Sequence, residues 1–147
     1  MVNREVDANK IRNHVLRMSL DGGASFGAPV EISNDGWQVP SCPHSGPSLG
    51  RDRRGHLHVS WFTQGRTEQE AGIYYSVSKD GGKTWGPPRH FETDPNWAFS
   101  NPGCYFINGK AIINYWACEY QKDGAMSNYP IHLKAAIVDT RWFYGKD

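Results

Sequence analysis

The sequence is poor in cysteine, in long apolar runs and in charge of either single sign, and each shortage removes a class of protein. Three cysteines, Cys42, Cys104 and Cys118, occur in 147 residues. An odd number at irregular spacing, with no CxxC pair, argues against both a disulfide framework and a structural zinc site. No apolar stretch approaches the ~20 residues of a membrane-spanning helix. The opening "MVNREVDANKIRN" also lacks the apolar centre of a secretory leader, so the expectation is a soluble chain with no signal of its own. Lys plus Arg total 16 against 15 Asp plus Glu, giving a formal net charge of +1. Interspersed charges at that balance make no case for nucleic acid or an anionic membrane. Helical periodicity is missing too: no segment sustains apolar residues at i, i+3, i+4 and i+7.

Turn-forming residues and aromatics are abundant, with 16 Gly, 9 Pro and 13% Phe, Trp and Tyr. They are also repeated. Residues 17–29 read "RMSLDGGASFGAP" and residues 76–88 read "SVSKDGGKTWGPP". A shift of 59 positions, the distance from Asp21 to Asp80, lays Ser19 on Ser78, Gly22 and Gly23 on Gly81 and Gly82, Ser25 on Thr84, and Phe26 on Trp85. Repeats at such periods signal stacked supersecondary units.

Alternating segments flank these turns and recur along the chain. Strands are expected at 13–20, 29–33, 47–52, 56–63, 72–78, 88–92, 103–107, 110–120 and 130–139, with a short last one at 141–145. Asn108-Gly109 is a hairpin turn signal. The reading is an all-β chain of about ten strands. Grouped by turn spacing, they give four-stranded antiparallel meanders, the signature of propeller blades. Residues 13–33 supply half a blade, 47–92 a full one, and 103–145 a full or nearly full one. About two and a half blades make a partial β-propeller in a single domain.

Physically, the repeated turn is a folding staple. Asp80 is placed to accept hydrogen bonds from its own loop, as Asx turns do. Gly81 and Gly82 permit positive φ, and Trp85 folds back as an apolar plug. A structural role for Asp21 and Asp80 therefore outweighs a catalytic one. The string Ser-x-Asp-x-Gly-x-Thr-Trp resembles the Asp-box, the bacterial neuraminidase repeat of the sialidase superfamily. Ser78, Asp80, Gly82, Thr84 and Trp85 match each position; Ser19, Asp21, Gly23, Ser25 and Phe26 match with permitted substitutions. "IVDTRWF" in the third unit keeps an Asp and a Trp but not the glycines. "DGWQVPSCPHSGPSL" (35–49) is similar to segments leading into blades of bacterial sialidase-like proteins. The resemblance implies secreted or periplasmic relatives and a six-bladed ring, of which this chain is a fragment or a shortened form.

The strand order also says where a ligand belongs. The boxes join the third and fourth strands of a blade, so they mark one end of the sheets. Longer loops at 34–46, 64–71, 93–102 and 121–129 gather at the other, where function usually resides. The candidate binding residues there are Trp37, His44, Arg66, Glu68, Trp97 and Asn101. Trp37 and Trp97 offer faces for a sugar ring or plugs between blades; Arg66 with Glu68 is otherwise a solvated loop. Cys42, His44, His56 and His58 are metal-ligand types, but nothing in the sequence makes the two pairs converge, so neither metal nor cofactor is expected.

Sialidase-type hydrolysis, as the resemblance implies it, takes a tyrosine nucleophile paired with a glutamate, an aspartate acid/base and three arginines on the substrate carboxylate. No Arg-Ile-Pro segment supplies the first arginine. Glu119 and Tyr120 are neighbours on one strand and point to opposite faces. No catalytic set can be assembled from the sequence. The expectation is a noncatalytic sialidase-like fragment binding a glycan or protein through its long-loop face. The alternatives are a glycosidase completed by oligomerisation or a longer parent chain, and a purely structural module. Open blade faces at both ends lead to the expectation of a homo-oligomer, a dimer first.

Overall fold

A computed structural model describes residues 1–38, 46–94, 96–119 and 130–144 of the chain. Among these residues ten strands form three antiparallel sheets. The first holds β1 (Val2–Val6), β2 (Arg12–Leu16) and β3 (Val30–Glu31). The second is a complete blade of β4 (Ser48–Arg51), β5 (Leu57–Thr63), β6 (Gly72–Ser78) and β7 (Arg89–Glu92), each beside the next. The third joins β8 (Trp97–Ile107), β9 (Lys110–Glu119) and β10 (His132–Asp139). Sheets of three, four and three strands make up the partial propeller of about two and a half blades.

Three elements differ from the sequence reading. β1 lies in the polar opening and adds a strand to the first blade. Its middle, Asn3-Arg4-Glu5, carries no apolar alternation, and pairing with β2 from Val2↔Leu16 to Val6↔Arg12 is what fixes it. β8 begins at Trp97 and continues through a bulge between Ser100 and Gly103, so most of the expected 93–102 loop is strand. The expected strand at 141–145 is a 3-10 helix, Thr140–Tyr144. Its aromatics fold back on the second and third blades, Phe143 lying 4.9 Å from the Tyr75 ring and 5.7 Å from Phe106. No helix among the described residues is long and apolar enough to cross a membrane.

The core sits between blades because each central strand is apolar on both faces. Along β5 and β6, Val59, Trp61 and Tyr74 point toward the first blade and meet Leu16 and Ile32. Phe62, Ile73 and Tyr75 point the other way and meet Phe99, Ile113 and Tyr115 of the third. Burying side chains of this size stabilises by about 1.5–3 kcal/mol each. Two layers of such contacts therefore lock three sheets in series.

The two boxes fold alike. Ser78 Oγ donates to Asp80 Oδ1 at 2.8 Å and accepts the Gly82 N–H at 2.7 Å. Asp80 Oδ1 accepts the Lys83 and Thr84 N–H groups, both at 3.0 Å, and Oδ2 accepts the Thr84 hydroxyl at 2.6 Å. Ser19, Asp21, Gly23 and Ser25 repeat the pattern, with Gly23 N–H to Ser19 Oγ at 2.7 Å and Ser25 N–H to Asp21 Oδ1 at 2.9 Å. Gly81 and Gly82 lie at φ +74° and +92°, their counterparts Gly22 and Gly23 at +72° and +98°. These hydrogen bonds hold both aspartate carboxyls well below the usual range. The aromatic position differs: Trp85 packs on the core between blades, whereas Phe26 is exposed.

Candidate functional site

A cleft of about 430 Å³ opens at the end of the sheets away from the boxes. Its walls come from the segment after β3, the loop after β5 and the start of β8. Trp37, Arg66 and Trp97 all line it, with Gln38, Gln64 and Thr67 beside them.

Each side chain is held from behind. The Trp37 indole is buried edge-on against Phe62, 5.4 Å between ring centres, and its Nε1–H donates to Gln64 Oε1 at 3.2 Å. Gly36 stands at φ +68°, and a Cβ there would collide with the Arg66 side chain, which therefore lies across the Gly36 backbone. Hydrogen bonds to side chains and to the backbone shape the 65–70 loop. Gly65 N–H donates to Thr63 Oγ1 at 2.9 Å, Arg66 N–H to Glu70 Oε2 at 2.6 Å, and Tyr74 hydroxyl to the Glu70 carbonyl at 2.8 Å. Trp97 is half-buried, with Lys134 Nζ 4.7 Å from its ring centre and the His132 ring at 5.7 Å.

A buried polar layer lies on the other face of the second blade, toward the first. Asp35 Oδ2 accepts Trp61 Nε1–H at 3.0 Å and lies 3.7 Å from His14 Nδ1, which also contacts Ser33 Oγ at 3.0 Å. Burial holds His14 below its ordinary pKa against the pull of Asp35. Burial also pushes the Tyr74 hydroxyl up to about 12, with the Asp35 and Glu70 charges adding to it. The Tyr74 hydroxyl is therefore not poised for proton transfer near neutrality. Ser33, His14 and Asp35 are the residue types of a hydrolytic triad. His14 and Ser33 are almost wholly buried, however, and both oxygens address the same ring nitrogen. The trio is structural.

The other sequence candidates fall elsewhere. Glu68 begins the 3-10 turn Glu68–Glu70. Asn101 stands exposed at φ +50° in the β8 bulge, outside the cleft lining. His44 and Cys42, like Tyr120, lie outside the described residues. Among the described residues no group of three or more His, Cys, Asp and Glu side chains could hold a metal ion. The sequence reading passed over Gly36, Gln38 and Gln64, and the Gln-Gly-Arg run ending β5 was the available signal.

No protein-family model and no curated protein matches the chain. Solved structures do match in shape. An α-L-arabinanase of Penicillium chrysogenum, complexed with arabinobiose, superposes with a TM-score of 0.69 over 93% of this chain and 40% of its own, at 18% identity. A GH93 α-L-arabinofuranosidase of Fusarium graminearum, also with arabinobiose, gives 0.53 over 86% of this chain and 40% of its own, at 20% identity. A Streptococcus pneumoniae sialidase gives only 0.47 at 12% identity. The chain thus has the fold of part of a β-propeller. It spans about 40% of the length of the arabinan-degrading enzymes it resembles. That bears out the sequence-based assignment at the level of the propeller fold and does not reach to sialidases in particular.

Proposed function

We propose that the chain is a glycosidase-like propeller fragment that binds a neutral or weakly acidic glycan in the cleft between Trp37 and Trp97, without turning it over on its own. The observation that carries this reading is the meeting of two indoles, one guanidinium and two carboxamides in one open cleft. An apolar ring face for the sugar's C–H side and a few fixed polar groups for its hydroxyls are what such sites need. The arabinobiose bound in two structural neighbours makes short arabino-oligosaccharides the first ligands to try, with sialosides beside them. The noncatalytic half is supported by the lining: among the described residues it holds one charged side chain, Arg66, and no carboxylate pair for glycoside hydrolysis.

Titration calorimetry with these sugars, followed by fluorogenic arabinofuranoside and sialoside assays, tests both halves. Binding with no turnover is expected. Turnover by the isolated chain would overturn the noncatalytic half. Absence of binding to any sugar would overturn the rest.

The second reading is a glycosidase whose site is completed by further blades. It is favoured by the 40% span of the neighbours, and turnover only after fusion to additional blades would establish it.

A further inference from the structure

The opposite end of the sheets carries a surface of different chemistry. Two tight turns face each other there, one between β4 and β5 and one at Asn108-Gly109 between β8 and β9. A groove of about 310 Å³ runs between them, with Arg51, Arg53, Arg54 and Lys110 on its walls and Phe106 and Asn108 among its lining.

The one carboxylate among the lining residues is turned away from these cations. Asp52 Oδ1 accepts the Arg54 and His56 N–H groups, both at 2.9 Å, as an Asx turn. Its Oδ2 accepts the Tyr144 hydroxyl and lies 3.5 Å from His58 Nε2 and 3.6 Å from His56 Nδ1. The Asp52 side chain is only 6% exposed. Among the described residues no ion pair engages Arg51, Arg53 or Arg54, and Lys110 shares Asp139 with Arg141.

The same turn fixes where the guanidinium groups stand. Gly55, at φ +85°, donates its N–H to the Asp52 carbonyl at 3.0 Å. The Arg51 guanidinium lies along it, Nη2 being 3.1 Å from where a Cβ would sit. Arg53 Nη2 reaches across the groove to Asn108 Oδ1 at 3.1 Å, and the Arg54 guanidinium stands 5.1 Å over the Tyr144 ring. Three arginines within four residues thus have no ion-pair partner among the described residues. A bound anion supplies that partner, and planar guanidinium forks suit carboxylate and sulfate groups.

We propose that this groove is a second binding site, for an acidic oligosaccharide carrying several carboxylate or sulfate groups, at the end of the blades opposite the Trp37–Trp97 cleft. A compact cavity beside an apolar ring and a carboxamide fits a short sugar segment, whose hydroxyls engage Asn108 while its acid groups engage the arginines. Nucleic acid needs a continuous basic track, and the chain's net charge of +1 leaves little for one beyond the groove.

The test is calorimetric titration of the full chain with a sulfated tetrasaccharide, an oligogalacturonate, a neutral oligosaccharide of equal length and a single-stranded oligonucleotide, at low and physiological salt. At least one acidic sugar is expected to bind, more weakly at the higher salt because the site is open to solvent. The neutral sugar should show no heat in a Trp97→Ala background. Arg51→Gln/Arg53→Gln should weaken binding about tenfold or more, while Arg53→Lys, which keeps the charge and loses the fork, should fall between. Trp97→Ala should leave acidic-sugar affinity unchanged, which separates this proposal from the one for the cleft. Lys10→Gln/Lys83→Gln removes the same charge from elsewhere and should also leave it unchanged. Equal affinity in Arg51→Gln/Arg53→Gln, equal loss in the lysine control, or tighter binding of the oligonucleotide than of both acidic sugars would overturn the proposal.

Discussion

Gly82, in the second box, lies directly against Leu16 at the end of β2 in the preceding blade. A Cβ built on Gly82 would overlap Leu16 Cδ2, whereas a Cβ on the equivalent Gly23 of the first box meets nothing within 4 Å. The box thus serves as more than a local staple. Its third glycine-motif position is where one blade's turn receives the previous blade's core, and the first blade has no predecessor within this chain.

That contrast sets the first expectation. Gly23→Ala and Gly82→Ala both force a side chain to positive φ, at a cost of about 1–3 kcal/mol. Gly82→Ala additionally overpacks the contact with Leu16 and should cost about 1–3 kcal/mol more. Leu16→Ala alone should cost about 2–5 kcal/mol, and the Gly82→Ala/Leu16→Ala pair less than the two added, since the clash is gone. Urea unfolding of the four variants measures all of this. Equal effects at Gly23 and Gly82 would show that the contact between blades contributes nothing.

The box carboxylates should matter to folding and not to binding. Asp80→Ala strands the Lys83 and Thr84 N–H groups and the Ser78 and Thr84 hydroxyls that Asp80 now receives. A lowered melting midpoint is expected, with sugar affinity at the cleft unchanged. Selective loss of binding at unchanged midpoint would make the box functional after all.

In the cleft, Trp97→Ala should weaken sugar binding about tenfold or more, because Trp97 is the less buried of the two indoles and offers the accessible face. Arg66→Gln should weaken it by a smaller factor and leave folding intact, the arginine side chain being exposed. Shift perturbations confined to the boxes on adding sugar would place the site at the wrong end.

Acid stability should fall in two windows. Burial pushes His58 down to about 4, against the attraction of Asp52. A histidine whose folded pKa is below its unfolded value near 6.5 takes up a proton on unfolding. Its contribution is therefore complete above pH ~6.5 and is lost as pH falls toward 4, by roughly 3 kcal/mol for this site. His14 acts in the same direction. Burial alone would raise the Asp52 carboxyl, but the Tyr144 hydroxyl and the His56 N–H bring it below its usual value. Asp52, with Asp21 and Asp80, therefore adds stability that disappears only in stronger acid. Urea midpoints should decline between pH 6.5 and 4, and His58→Phe, which fits beside Phe106 and Phe143, should flatten the decline. A wild-type profile flat across that interval would contradict the burial argument.

What could be read in advance followed from periodicity and turn chemistry. The Asp-Gly-Gly repeats, the alternation of β5 and β6 and the Asn108-Gly109 hairpin all act locally, and they marked the blades. β1 escaped because Asn3, Arg4 and Glu5 take their strand geometry from β2, a partner ten residues away in the chain. The C-terminal 3-10 helix escaped for a similar reason. Arg141-Trp142-Phe143 looks like a strand until Tyr75 and Phe106 are present to receive the rings. The cleft was legible as a set of loops at one end. The buried His14–Ser33 and Asp52–Tyr144 contacts join residues 19 and 92 positions apart that no spacing rule connects.

We propose, last, that two copies associate through the outer face of the third blade. Register places Leu133, Ala135 and Ile137 of β10 beside Ile112 of β9 and Tyr105 and Ile107 of β8 on one side of that sheet. Leu133 is 78% exposed, Ile137 70% and Tyr105 64%, while Ala111, Ile113, Tyr115 and Ala117 on the other side are buried. The outer face of the first blade is built differently, with Asn3, Glu5 and Arg17 and a 2.7 Å ion pair between the last two. A head-to-tail ring would press the apolar face on the charged one and bury that pair at a desolvation cost. Like faces meeting about a two-fold axis avoid the cost and cover the apolar patch on both copies. Sedimentation at micromolar concentration should therefore find a dimer. Leu133→Glu/Ile137→Glu should dissociate it, whereas Glu5→Gln/Arg17→Gln should not. A monomer of 16.6 kDa for the wild-type chain, or dissociation by the first-blade variant alone, would reject this face as the contact.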